Sequence, residues 1–90
     1  MKNLEFDSLA FEDLACWIEL DRKKALKIVK LIKAIQREPF TGIGHPEELK
    51  HELSGCWSRH IDQEHRLVYE VVEDENKIRI LACRYHYLLH

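Results

Sequence analysis

The residues of this chain that could carry chemistry are a carboxylate, Glu47, three cations, Lys50, Arg59 and Arg66, and a terminal pair, His86 and Tyr87. A proton acceptor, a proton donor and several cations around one concavity are the parts needed to cleave RNA without a metal. One group takes the proton of the ribose 2′-hydroxyl and another protonates the departing 5′-oxygen, while the cations stabilise the charge that builds on the phosphate. Ribose and phosphate bring the reactive groups themselves, so no cofactor is implied. Each side chain also has a structural reading. Glu47 and Glu48 fit an exposed loop, and a histidine near a terminus is commonly exposed and idle. Arg66 lies inside the apolar run "EHRLVYEV", and an arginine is rarely buried unless it is paired. Either it pairs with a neighbour such as Glu64 or Glu70, which pattern alone favours, or it faces an anion from an open sheet.

The elements that must position these groups follow from periodicity. Asn3 to Phe6 reads as a short first strand. Asp7 is placed to cap a helix over "SLAFEDLACWIEL", whose Phe11, Leu14, Ala15 and Ile18 recur at helical spacing. Asp21 is placed to cap a second helix to about Arg37, with Ala25, Ile28, Val29, Ile32 and Ile35 inward and its lysines outward. So short a connection predicts an antiparallel helical hairpin. Pro39 ends the second helix, and "PFTGIGHPEE" reads as a loop.

From Leu49 the apolar period changes to two, predicting strands near 49–53, 56–61, 65–72 and 77–85 joined as a meander. In the third of these, Leu67, Tyr69 and Val71 share one side and Arg66, Val68, Glu70 and Val72 the other. In the last, Ile78, Ile80, Ala82, Arg84 and His86 share a side. The order β-α-α-β-β-β-β predicts an α+β fold: a helical hairpin on one face of a twisted, mainly antiparallel sheet, with the other face open.

Ninety residues, 46% hydrophobic and 33% charged, make one small domain. The apolar runs fall far short of the roughly twenty residues of a membrane span, and the N-terminus is too acidic for a signal peptide, so the expected location is the cytoplasm and no membrane is implied. Cys16, Cys56 and Cys83 contain no CxxC pair and read as small buried hydrophobes. The six histidines are scattered over strands and loops and show no HExxH spacing, so no metal is expected. The net charge of −2 lacks the signature of a nucleic-acid binder. Its distribution is uneven, however. Residues 22–51 carry Arg22, Lys23, Lys24, Lys27, Lys30, Lys33, Arg37 and Lys50 against Glu38, Glu47 and Glu48. That leaves open a positive face for a polyanion or simply a solvated helix surface.

The run "PFTGIGHPEELKHELSGCWSRHIDQEHRLVYEV" and the terminal "ACRYHY" resemble the YoeB (Txe) family of toxins in the RelE superfamily, in order and separation. The resemblance spans residues 1–87 and leaves Leu88, Leu89 and His90 as an extension or scar. It implies a small RNase-like fold and a metal-free endoribonuclease that cuts messenger RNA on the ribosome, leaving a 2′,3′-cyclic phosphate and a 5′-hydroxyl. It implies Glu47 as general base, His86 as general acid, Arg66 on the scissile phosphate and Tyr87 shaping the pocket or stacking on a base. Lys50 and Arg59 would supply substrate contacts. Family members carry a further basic residue after the position of Arg59, where this chain has His60. The implied partners are a cognate YefM/Phd-like antitoxin, the ribosome with its message, and a second copy as a homodimer. The competing expectation is a catalytically silent relative that binds an antitoxin as a co-repressor.

Overall fold

The computed structural model describes residues 1–85. The chain runs through β1 (Asn3–Phe6), α1 (Ser8–Leu20), α2 (Arg22–Arg37), β2 (Glu47–Glu48), β3 (Cys56–His60), β4 (Arg66–Val72) and β5 (Lys77–Ala82). The strands form one sheet in the order β1-β5-β4-β3-β2. β1 pairs with β5 in parallel, while the pairs β5–β4, β4–β3 and β3–β2 are antiparallel. This is the expected α+β arrangement, with the helical hairpin on one face of the sheet.

Asp21 separates the helices and caps the second, its carboxylate accepting from Lys24 N–H at 3.4 Å. α2 buries Ala25, Ile28, Leu31, Ile32 and Ile35 against Leu67, Tyr69, Ile78 and Ile80 of the sheet. Leu31 takes the inward place expected of Val29, which lies at the edge of the stripe and is exposed. Burying one such aliphatic side chain stabilises the fold by about 1.5–3 kcal/mol, so this layer supplies most of the cohesion.

α1 faces the sheet differently from its expected stripe. Phe11, Ala15 and Ile18 are exposed, and the buried residues are Ala10, Asp13 and Trp17. The reason is polar. Asp13 Oδ2 accepts from Cys83 N–H at 3.0 Å, and Trp17 Nε1 donates to Cys83 C=O at 2.7 Å. These bonds satisfy both backbone groups of the residue that follows β5, which an apolar stripe could not do. Asp7 occupies the N-cap position of α1, but its side chain makes no capping bond.

Two further departures come from backbone geometry. The expected strand over 49–53 is instead a single 3₁₀ turn at His51–Leu53, after a strand of only two residues, Glu47 and Glu48. β5 ends at Ala82, and its register against β4 slips between Val68 and Tyr69. Tyr69 pairs with Ile80 whereas Val68 pairs with Ala82, leaving Leu81 as the extra residue of a bulge. The bulge reverses the alternation. Ile78 and Ile80 face the helices, but Ala82 joins Leu49, Cys56 and Val68 in a small apolar cluster on the opposite face, and Cys83 turns into the main core. The expected common side for Ile78, Ile80 and Ala82 is therefore broken.

Candidate functional site

Alternation in β3 sends Trp57 and Arg59 toward the helices and Cys56, Ser58 and His60 to the open face. Cross-strand pairing then gathers the candidate groups. Glu47 lies opposite Ser58, and His60 lies opposite Arg66. Paired residues share a face of the sheet, so Glu47, His60 and Arg66 converge on the open side beside the cluster of Leu49, Cys56, Val68 and Ala82. The His60 imidazole registers this convergence. Burial pushes its pKa below the ordinary 6.5, and the charge of Arg66 and the neighbouring His45 ring push the same way; Glu47 opposes them. The rings of His45 and His60 are 5.5 Å apart. Ser58, between these groups, is buried, and its hydroxyl has no partner among the described residues.

The ion pair expected for Arg66 is not formed. Glu70 binds Arg79 Nη1 at 2.8 Å instead, and Glu64 lies 3.7 Å from His65 Nε2. Arg66 Nη1 donates to the carbonyls of Asp62 (2.8 Å), His65 (3.1 Å) and Gln63 (3.2 Å). These bonds hold the guanidinium through one nitrogen. Among the described residues no carboxylate neutralises it, so its charge remains available to an anion.

Arg59 requires a correction. It was expected beside Lys50 as a substrate contact, yet its side chain is completely buried. Nη2 donates to the carbonyls of Glu38 (2.7 Å) and Thr41 (2.9 Å), Nη1 to that of Ile43 (3.0 Å), and Nε to the Tyr69 hydroxyl (3.2 Å). The Tyr69 hydroxyl in turn donates to Pro39 C=O at 2.7 Å. Arg59 thus binds the carbonyls of the loop "EPFTGI" from beneath, beside the C-terminal end of α2, where a cation is favoured. Gly44 completes the fastening: its carbonyl accepts from His60 N–H at 2.7 Å, and its φ of +84° suits glycine. The loop so anchored leads directly into β2 and delivers Glu47. The residue on the site side of β3 is His60. The signal was present in the sequence as the alternation of "CWSRHI", once Trp57 and Ile61 are recognised as core.

Lys50 is exposed two residues after β2 and forms no ion pair among the described residues. His86 and Tyr87 lie outside the described residues. The chain leading to them passes the site: Arg66 N–H donates to Tyr85 C=O at 3.0 Å, and Tyr85 N–H donates to His65 Nδ1 at 2.6 Å. All three cysteines are free, and Cys56 and Cys83 are buried. Burial, reinforced by Asp13, pushes the Cys83 thiol up to about 12, far from nucleophilic use. Among the described residues no three His, Cys, Asp or Glu side chains are grouped to hold a metal ion, and no helix is long and apolar enough to cross a membrane.

A helical hairpin on one face of a five-stranded sheet, with the other face open, is the fold this chain shares with solved YoeB toxins. The chain belongs to the YoeB-like toxins of bacterial type II toxin–antitoxin systems, whose family model matches residues 6–87. It is 54% identical over 87 residues to Toxin RelK of Mycobacterium tuberculosis, covering 97% of this chain and 100% of that protein. It is 53% identical over 78 residues to Toxin YoeB of Escherichia coli, covering 87% and 90%. Among solved structures it is similar to a YoeB dimer from Staphylococcus aureus, with a TM-score of 0.86 at 46% identity over 96% and 98% of the two chains. It is also similar to a heterotetrameric YoeB–YefM toxin–antitoxin complex from the same organism, with a TM-score of 0.85 at 45% identity over 97% and 99%.

Proposed function

We propose that this toxin is a ribosome-dependent endoribonuclease that inhibits translation by cutting messenger RNA without a metal. The observation that supports it most directly is the convergence of Glu47 and Arg66 around His60 on the open face of the sheet. Glu47 is suited to take the proton of a ribose 2′-hydroxyl, because it is exposed and has no cationic partner among the described residues. The 2′-oxygen then attacks the adjacent phosphorus. Arg66, held by three carbonyls and paired with no carboxylate among the described residues, stabilises the charge on the phosphoryl oxygens. His86 protonates the leaving 5′-oxygen, and Tyr87 shapes the pocket or stacks on a base. The products are a 2′,3′-cyclic phosphate and a 5′-hydroxyl. Lys50 adds a cation at the exposed edge beside Glu47, and the substrate contacts once expected of Arg59 pass to the open-face side chain of His60.

The partner that restrains the activity is a cognate antitoxin, as in the YoeB–YefM complex of the relative, and the toxin pairs with itself as in the related dimer. The work is done in the cytoplasm, where translating ribosomes are found. The decisive experiment programs a translation reaction with a defined message and maps the ends produced. Cuts within the ribosome-bound stretch bearing cyclic phosphate and 5′-hydroxyl ends are expected. An intact message, or 3′-hydroxyl ends, would overturn the reading and favour a silent antitoxin-binding relative.

A further inference from the structure

The segment that precedes His86 is held at two successive points. At Cys83, α1 takes both backbone groups: Asp13 accepts the N–H and Trp17 donates to the C=O. At Tyr85, the start of β4 does the same: His65 Nδ1 accepts the N–H at 2.6 Å and Arg66 N–H donates to the C=O at 3.0 Å. Tyr85 has a φ of +62°, a left-handed conformation that a bulky side chain adopts only when its surroundings impose it. The imidazole that accepts its N–H is itself fixed. Its ring meets Trp17 edge-on at 4.8 Å, and its N–H backbone group is bound at 2.7 Å by Asp62 Oδ1, whose other oxygen pairs with Lys24 at 3.1 Å. Because Nδ1 accepts, the ring proton of the neutral imidazole is on Nε2, toward Glu64.

We infer that His65 is a positioning residue for RNA cleavage: by accepting the Tyr85 N–H it fixes the turned backbone of the residue that immediately precedes His86 in the chain. This rests on the reading of His86 as general acid. His65 touches no reacting atom. Its effect is geometric, and misplacing a catalytic group by about 1 Å is enough to lower turnover on the order of 10²-fold.

The test measures cleavage of a ribosome-bound message by the parent, His65→Phe, His65→Asn, His86→Ala and the double variant His65→Phe/His86→Ala. Amide hydrogen exchange at Tyr85 is followed in each. Phenylalanine keeps the ring against Trp17 but offers no acceptor, whereas the asparagine oxygen stands near the place of Nδ1. The expected result is a fall in kcat on the order of 10²-fold for His65→Phe with KM nearly constant, and faster exchange at Tyr85. His65→Asn should restore most of both. In the His86→Ala background, His65→Phe should add little. Full kcat in His65→Phe, equal damage in His65→Phe and His65→Asn, or a further undiminished loss in the double variant would each overturn the inference. Parent-rate cleavage by His86→Ala would instead sink the general-acid reading on which the inference stands, and is recognised separately because it involves no change at His65.

Discussion

The Arg59 guanidinium and the Tyr69 hydroxyl form a buried pair, 3.2 Å apart, that carries the loop to Glu47 from below. The pair joins β3 and β4 on the helix side, and its remaining bonds go to loop carbonyls at Glu38, Pro39, Thr41 and Ile43. A charge with no exposure to water is tolerated because four acceptors surround it.

Arg59→Ala should therefore act on stability before it acts on substrate. It leaves three carbonyls and a tyrosine without their donor, and a loss of about 3–5 kcal/mol in denaturant unfolding is expected. Arg59→Lys should recover little, since an ammonium lacks the planar fork that reaches these acceptors. A variant with parental unfolding and only a raised KM would show that Arg59 contacts substrate after all.

Glu47→Gln and His86→Ala are each expected to lower the cleavage rate roughly 10²- to 10⁴-fold while leaving the thermal midpoint nearly constant. Arg66→Ala should cost on the order of 10²- to 10³-fold. Single-turnover rates on a programmed ribosome, alongside thermal unfolding, check all three.

Gly44→Ala and Gly55→Ala make a matched pair. Both positions have positive φ, but a Cβ at Gly44 would meet Leu31 Cδ2 at 2.8 Å and Arg59 Cβ at 3.1 Å, whereas one at Gly55 meets nothing within 4 Å. Gly55→Ala should cost about 1 kcal/mol from backbone strain alone. Gly44→Ala should cost about 2–4 kcal/mol and lower cleavage, because the clash displaces the loop that presents Glu47. Equal unfolding midpoints for the two variants would contradict this packing.

His60 gives a pH and salt dependence of definite sign. Its folded pKa lies below the ordinary 6.5 through burial first and Arg66 next, so it is uncharged at neutral pH. The folded state then binds fewer protons than the unfolded one, and its contribution to stability is present above pH 6.5 and lost as pH falls through that value toward the folded pKa. His60→Gln should lack this component of acid sensitivity. His60→Arg should tighten RNA binding at neutral pH and steepen the salt dependence, by about 0.7 in log K per log salt for one new single-strand phosphate contact. Titrating unfolding against pH and KM against salt tests each sign.

Asp62 supplies a second sign. Burial raises its pKa, but the N–H groups of His65 and Glu64, together with Lys24, outweigh it and hold the carboxyl below its ordinary 3.8. Its contribution is thus full above pH 3.8 and is lost as pH falls through the lower folded value. Asp62→Asn should be less stable than the parent by about 1 kcal/mol at pH 7, and the gap should close in strong acid. A constant gap across the range would assign the effect to shape rather than charge.

The sequence by itself determined the order of elements, the helix boundaries and the α+β class, because these depend on short-range periodicity and on caps such as Asp21. It also sorted β4 into two sides, Leu67, Tyr69 and Val71 against Arg66, Val68, Glu70 and Val72, but both are partly apolar and only the packing showed that the first lies beneath the helices. Only the tertiary structure decided which side of α1 is buried, for Asp13 and Trp17 are drawn inward by the backbone of Cys83, seventy and sixty-six residues away in sequence. It likewise decided that β5 reverses its faces at a bulge, which no alternation can announce. Above all it separated two adjacent basic residues, sending Arg59 into the core and His60 to the open face. Residue type records that a side chain can bind an anion or a carbonyl. Whether it meets one or the other depends on strand pairing and loop closure, and those are fixed by contacts between distant parts of the chain.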